Sequence, residues 1–188
     1  MLKLSLSESS EQFRASFREW LSRNPAPQST NDTSLESFER VGRAWQRQLS
    51  AGGWLGTHWP KEYGGRGVSL VEEAIVQEEL VRVSAPQILG LFGLTMVGPV
   101  LISHGSDTQK NRFLARILSG DDIWCQGFSE PGSGSDLASL RTRAERQGDH
   151  YIVNGSKIWT SQAHYADWMY ALVRTDPGAG KHTGISYL

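Results

Sequence analysis

The chain has 188 residues, of which 38% are hydrophobic and 21% are charged, and its formal net charge is −1. This composition is typical of a globular protein with one large domain or two small ones, and it excludes a disordered or fibrous chain. The near-neutral charge gives no basic face, so we expect no nucleic-acid partner.

The N-terminal sequence MLKLSLSESSEQ contains no long apolar stretch and becomes acidic early. It does not resemble a secretory signal or an organelle transit peptide, and no apolar run is long enough for a membrane-spanning helix. We therefore expect a cytoplasmic protein. Its single cysteine, Cys125, is expected to be a small buried residue. The five histidines lack metal-ligand spacing, so we predict no metal site.

The first half of the chain has the apolar periodicity of helices. Phe13, Phe17, Trp20 and Leu21 predict a helix that begins with a capping box at Ser9 and ends at residues 24–27. A second capping box at Thr33 precedes a helix that continues to residues 52–53. Ser69 is predicted to cap a third helix that runs to about residue 83.

Residues 87–104 are apolar on nearly all sides, which predicts a buried central helix that Gly98-Pro99 could kink. Ser106 caps a fifth predicted helix, which ends at residues 119–121.

The apolar period then changes from helical to alternating, which predicts strands. The predicted strands cover residues 123–128, 140–146, 151–153, 156–160, 168–175 and 183–188. A turn is predicted at residues 147–149, and Asn154-Gly155 is predicted to close a hairpin. Helices followed by antiparallel strands favour an α+β fold. We place the domain boundary between a helical domain, residues 1–121, and a β-domain, residues 122–188.

Two polar segments could carry chemistry. The sequence PGSGSD, residues 131–136, could form a nest of N–H groups for a phosphate, although it fits neither the Walker loop nor the dinucleotide fingerprint. Taken alone it is more often a turn. In NGSKIWTS, residues 154–161, Trp159 stands beside two hydroxyl residues, which suits a flavin or a nucleobase. On base rates alone, Trp159 would be a core residue.

Four ordered blocks resemble the acyl-CoA dehydrogenase family. They are WPKEYGGRG, residues 59–67; GSDTQKNRFLARILSGD, residues 105–121; FSEPGSGSD, residues 128–136; and NGSKIWTS, residues 154–161. The resemblance implies a helical N-terminal domain, a β-barrel-like middle domain, and FAD as the cofactor. It also implies that the chain stops before the C-terminal helical bundle, which usually supplies the catalytic glutamate, so the catalytic base is unknown here.

The resemblance also implies a role for individual residues. Gln126, Phe128 and Ser129 would lie along the flavin edge, with the Ser129 hydroxyl directed at the flavin N5. Trp159 would pack on the isoalloxazine ring, and Thr160 and Ser161 would bond to its polar edge. Gly134 and Ser135 would lie near phosphates, Ser135 where FAD and CoA approach each other. The implied acyl pocket includes Leu94, Val97 and Leu101, which could equally be core residues. Glu130, before a proline, is interpreted as a structural turn carboxylate.

The implied reaction is the oxidation of an acyl-CoA to a 2,3-enoyl-CoA, with hydride transfer to the flavin and an electron-transfer flavoprotein as acceptor. The family habit implies a dimer or tetramer. Two alternatives stay open at this point: a non-catalytic or truncated subunit of a heteromeric acyl-CoA dehydrogenase, and an oxygen-using relative such as an acyl-CoA oxidase or flavin monooxygenase.

Overall fold

A computed structural model of the chain describes residues 6–28 and 32–188. The chain divides into two compact units, Met1–Asp122 and Ile123–Leu188. The first unit is helical and the second is built on a sheet. The predicted α+β fold class is therefore confirmed. Within the described ranges, no helix is both long enough and apolar enough to span a bilayer.

The first two helices begin at different residues from those predicted. Helix α1 spans Glu8–Arg23 and is capped by Ser7, whose Oγ accepts from the Ser10 N–H at 3.1 Å. Helix α2 spans Leu35–Ala51 and is capped by Ser34. The predicted caps at Ser9 and Thr33 are wrong, because the capping residue is the one with an extended backbone and a side chain that reaches the first turn. Several neighbouring hydroxyl residues made this choice ambiguous in the sequence.

The predicted capping boxes of the next two amphipathic helices are confirmed. Helix α3, Leu70–Arg82, has reciprocal bonds between Ser69 and Glu72. Helix α5, Asp107–Ser119, has the same arrangement at Ser106 and ends at Gly120, whose φ of +76° is in the left-handed region.

The fourth helical segment begins later than predicted and contains a π-helical turn. The turn spans Gly93–Val97, and helix α4 follows at Gly98–His104. The Gly98 N–H donates to the Gly93 carbonyl, five residues back, just before Pro99. Gly98 also lies against Trp59, since an added Cβ would be 2.1 Å from the Trp59 ring. The segment is buried on one side only, because Met96 and Val100 are exposed.

The helical unit is stabilised by an aromatic and aliphatic core, and by the hydrogen bonds and ion pairs of two buried polar side chains, Gln46 and Glu79. The largest fully buried apolar side chains of this unit are Trp45, Trp59, Phe17, Leu49, Leu89 and Ile117. Gln46 accepts from the Gly90 N–H at 2.8 Å and donates to the Ile117 carbonyl at 2.9 Å. The carboxylate of Glu79 forms ion pairs with the guanidinium groups of Arg14, Arg18 and Arg82.

The second unit contains a mixed sheet, which corrects the predicted antiparallel pairing. Its strands are β1, Trp124–Gly127; β2, Arg143–Gln147; β3, His150–Asn154; β4, Trp168–Arg174; and β5, Ile185–Tyr187. The order is β1-β4-β2-β3, with β5 also on β4. Pairs β2–β3 and β4–β5 are antiparallel, whereas β1–β4 is parallel and β2–β4 makes one parallel pairing. Parallel pairing depends on long-range topology, which alternation along the chain does not report.

The tight hairpin of this unit lies at the predicted turn around Gly148, where Gln147 pairs with His150. The predicted hairpin at Asn154-Gly155 and its return strand at residues 156–160 are wrong, since β3 ends at Asn154 and no strand follows before β4. The Ile158 N–H instead donates to the Ser129 carbonyl at 2.9 Å. The segment is therefore held by the residues that follow β1 rather than by β3.

Candidate functional site

The end of β1 places a polar and an aromatic side chain around a buried tyrosine. Gln126 donates from Nε2 to the Tyr170 hydroxyl at 2.8 Å, and the Phe128 ring meets the Tyr170 ring edge-on, with centroids 5.5 Å apart. Burial raises the pKa of Tyr170 to about 12, despite the hydrogen bond from Gln126, which lowers it. Tyr170 therefore stays neutral and fixes the orientation of both residues.

The structure brings together the two segments that the sequence singled out. The bond from the Ile158 N–H to the Ser129 carbonyl joins FSEPGSGSD to NGSKIWTS. Of the predicted cofactor-binding residues, Ser129 itself provides the acceptor carbonyl of this bond, and Trp159 directly follows the donor, Ile158. Ser129 is half-buried, and its neighbour Glu130 is buried.

We call the Ile158–Ser129 hydrogen bond and the two segments that it joins the junction. Glu130 and Lys157 form a buried ion pair beside it. Their Oε1 and Nζ atoms are 2.9 Å apart, and the side chains are 8% and 9% exposed. Glu130 also accepts from the backbone N–H groups of Arg141 and Thr142 at 2.7 and 2.9 Å. Burial alone would raise the pKa of Glu130, but hydrogen bonds from Thr142, Arg141 and Lys157 lower it to about 2. The carboxylate is thus ionised and structural, as the sequence interpretation of Glu130 expected.

Trp159 has an unusual position for a large aromatic residue. Its side chain is 86% exposed, although tryptophan usually buries most of its surface. Its φ of +57° lies in the left-handed region, which is unfavourable for a bulky side chain. Strained residues of this kind persist where the surrounding structure holds them, often at binding sites. The core interpretation of Trp159 therefore fails, and an open indole face remains for a ligand or a partner.

The residues after Trp159 leave polar atoms without partners. Among the described residues, neither the Thr160 Oγ1 nor the Gln162 Oε1 has a hydrogen-bond partner, although both atoms are buried. Ser161 is exposed, and its N–H donates to the Trp159 carbonyl at 2.9 Å. Gln162 also has a positive φ, of +71°. Gln162 was not among the residues predicted from the sequence, although its amide beside two hydroxyl residues was an available signal.

A cavity of about 410 Å³ lies beside Thr160, in the sheet unit. Lys157 and Thr160 contribute to its wall, which is otherwise mostly apolar. The apolar part of the lining consists of Val153, Gly155, Ala163, Met169, Ala171 and Val173.

The PGSGSD segment forms a turn closed by Ser133. Its buried Oγ donates to the Asp136 carbonyl at 2.9 Å, and Glu130 and Ser133 exchange backbone hydrogen bonds at 2.7 and 3.0 Å. Gly134 and Ser135 are exposed, and a Cβ added at Gly134 would meet nothing within 4 Å. The turn interpretation holds for the fold, and the exposed backbone leaves the predicted phosphate contacts sterically open.

The predicted acyl-pocket residues all lie in the helical unit. Leu94 and Val97 are buried and belong to the π-helical turn, whereas Leu101 is half-buried in α4. Their burial agrees with a core role, and their contact with a substrate stays a prediction.

The residues around Trp159 fit the FAD that the family resemblance implies. An exposed indole offers a flat apolar surface for a planar ring, and the unpartnered Thr160 and Gln162 oxygens can bond to its polar edge. Among the described residues, no group of three or more His, Cys, Asp and Glu side chains could hold a metal ion. Cys125 is buried, and burial raises the pKa of its thiol, which makes it a poor nucleophile.

Two family profiles together match nearly the whole chain. Residues 7–121 match the family profile described as acyl-CoA dehydrogenase, N-terminal domain, and residues 125–188 match acyl-CoA dehydrogenase, middle domain. The curated acyl-CoA dehydrogenase IpdE1 of Mycobacterium tuberculosis is 44% identical over 185 residues, which cover 95% of this chain and 48% of that protein.

Two solved structures have the same fold over nearly the whole chain. The ChsE4-ChsE5 complex from Mycobacterium tuberculosis matches with a TM-score of 0.81 and 39% identity, over 100% of this chain and 47% of that one. A glutaryl-CoA dehydrogenase from Mycobacterium smegmatis in complex with FADH2 matches with a TM-score of 0.70 and 26% identity, over 97% and 45%. The chain therefore spans about half the length of the relatives that it matches.

Proposed function

Because the chain belongs to the acyl-CoA dehydrogenase family, we propose that it forms part of an FAD site at which an acyl-CoA is oxidised to a 2,3-enoyl-CoA. The observation that carries this proposal is Trp159, whose indole is exposed on a strained backbone beside two unpartnered polar atoms. A solvent-exposed turn would not need a tryptophan in that conformation.

The chain's own residues would bind and orient the cofactor. Trp159 would pack on the flavin ring, and Thr160, Ser161 and Ser129 would bond to its polar edge. Gln126 and Phe128 would border the flavin ring. Their contacts with Tyr170 would keep both side chains in a fixed orientation there. Gly134 and Ser135 would approach phosphates from the exposed turn. When bound, FAD supplies the acceptor for the hydride that leaves the acyl group.

The hydroxyl groups of Thr160, Ser161 and Ser129 would act as fixed hydrogen-bond donors, which would stabilise negative charge at the cofactor edge without reorganising. The packed indole would also exclude water from one face of the site. Leu94, Val97 and Leu101 would contribute to the acyl pocket, and an electron-transfer flavoprotein would be the electron acceptor.

We further propose that the chain acts within an oligomer that includes a companion chain. The likeness to one component of the ChsE4-ChsE5 complex supports this arrangement. The companion or a further segment would supply the catalytic base.

Binding of FAD to the purified chain tests the proposal. The chain is titrated with FAD, excess cofactor is removed, and the flavin absorption bands are recorded, with and without an added acyl-CoA. We expect Trp159→Ala to weaken binding by about tenfold or more, since aromatic stacking contributes about 1–3 kcal/mol. Ser129→Ala should weaken it less.

Trp168→Phe is the matched control, because Trp168 is partly exposed but stacks on Trp124, with centroids 5.7 Å apart. We expect that variant to bind FAD within about twofold of the wild type. Equal affinities of the wild type and Trp159→Ala would contradict the proposed site. No retention of FAD by the wild-type chain, alone or with a companion chain, would contradict the proposed function.

A further inference from the structure

The buried ion pair of Glu130 and Lys157 uses every ammonium hydrogen of the lysine. Lys157 Nζ lies 3.0 Å from the Phe128 carbonyl, 2.9 Å from Glu130 Oε1 and 2.7 Å from the Leu172 carbonyl. A lysine ammonium has three donors, so its hydrogen-bonding capacity is filled. The three acceptors belong to the segment after β1 and to β4, so one side chain ties these parts of the sheet unit together.

Each of the two segments at the junction contributes one member of the ion pair. Glu130 follows Ser129 in the chain, and Lys157 precedes Trp159 by two residues. Between them, the Ile158 N–H donates to the Ser129 carbonyl at 2.9 Å. The pair and this bond together restrict both segments just where Trp159 takes its unfavourable φ of +57°.

Stability alone does not account for burying two charges at this place. Taking a carboxylate and an ammonium out of water costs several kcal/mol each, and a well-packed apolar pair of similar volume is often as stable or more stable. Directional bonds from one ammonium to three fixed acceptors give instead a defined geometry. A strained residue persists only when its surroundings over-determine its conformation.

We propose that Glu130 and Lys157 are positioning residues, which hold Ser129 and Trp159 in the arrangement that receives the flavin. Neither is proposed to touch the reacting atoms. This inference rests on the proposed function for its ligand, but the geometric part of it concerns the chain alone.

The test uses Glu130→Gln and Lys157→Met in the full chain, with Glu79→Gln as the matched control. Glu79 is also a buried carboxylate, 1% exposed and bound by arginines, but it lies in the helical unit. Three quantities are measured: the free energy of unfolding in urea, the FAD dissociation constant, and the hydrogen-exchange rate of the Ile158 amide.

We expect all three variants to lose stability. Glu130→Gln and Lys157→Met should weaken FAD binding by about tenfold or more, since small misplacements of positioning groups have large effects. They should also speed exchange of the Ile158 amide beyond what the loss of global stability accounts for. Glu79→Gln should leave FAD affinity within about twofold and change Ile158 exchange only through global unfolding.

Unchanged FAD affinity and stability-corrected Ile158 exchange in both site variants would overturn the inference. If Lys157→Met does not fold, Glu130→Asp keeps the charge, shortens the side chain, and provides the same readouts. A wild type that retains no FAD, alone or with a companion chain, contradicts the proposed function, whereas Ile158 exchange still decides whether the pair positions the junction. The two failures are therefore distinguishable.

Discussion

Replacing Trp159 with glycine should change stability very little, although tryptophan is the largest residue. The side chain is 86% exposed, so only about 35 Å² of a total of about 250 Å² is buried. At about 25 cal/mol per Å², the lost burial amounts to about 1 kcal/mol. Glycine relieves about 1 kcal/mol of left-handed strain but adds about 0.5–1 kcal/mol of unfolded-chain entropy. The net destabilisation should be no more than about 1 kcal/mol.

Urea unfolding followed by circular dichroism measures this change without depending on tryptophan fluorescence. Trp45→Ala is the contrast, because Trp45 is fully buried and its truncation should cost about 3–5 kcal/mol. The urea dependence should keep its slope in Trp159→Gly, since the fold is unchanged. A loss of about 3 kcal/mol or more in Trp159→Gly would refute the reasoning, because the indole would then be a core residue rather than an open ligand surface.

Two further predictions concern buried polar groups of the helical unit. Gln46→Ala should destabilise the chain by about 2 kcal/mol in urea unfolding, because it leaves the buried Gly90 N–H without its acceptor and the Ile117 carbonyl with only the 3.4 Å bond from the Gly120 N–H; a loss below about 1 kcal/mol would contradict this. The pKa of Glu79 is lowered from 4.5 to about 2 by hydrogen bonds from Arg18, Arg82 and Arg14, against the effect of burial. Because the folded-state pKa is the lower one, this stabilisation is present above about pH 4.5 and is lost as the pH falls towards 2. Between pH 5 and pH 3 the wild type should lose about 2 kcal/mol more than Glu79→Gln, and equal losses in the two proteins would contradict the assignment.

Local signals in the sequence predicted the helices well and the strand pairing only in part. The capping boxes at Ser69 and Ser106 were predicted correctly, because a capping box involves residues only three apart. The caps of α1 and α2 were wrong by two residues and one residue, where several serines compete for the same role. The Asn154-Gly155 hairpin failed although its turn signal is strong. The bond from Ile158 to Ser129, about thirty residues away in the chain, determined where that segment lies.

Some features of the candidate site could likewise be predicted from the sequence, and others could not. The sequence identified Trp159 and the segments around Ser129 and Trp159, because a family resemblance depends on which residues occur in which order. The sequence did not indicate the unpartnered side-chain oxygen of Gln162, whose φ is positive. It also gave Glu130 only a local structural role, whereas in the structure the carboxylate is paired with Lys157.

The order of a helical unit and a β unit, and the residue types available for a planar cofactor, could be predicted from the sequence alone. Periodicity, capping and composition depend on residues close together in the chain, so they are visible in the sequence. Three features could be seen only in the folded chain: the parallel pairing of β1 with β4, the ion pair of Lys157 with Glu130, and the exposure of Trp159. These features depend on contacts between residues far apart in the chain, and such contacts are set by the packing of the whole unit rather than by any short segment.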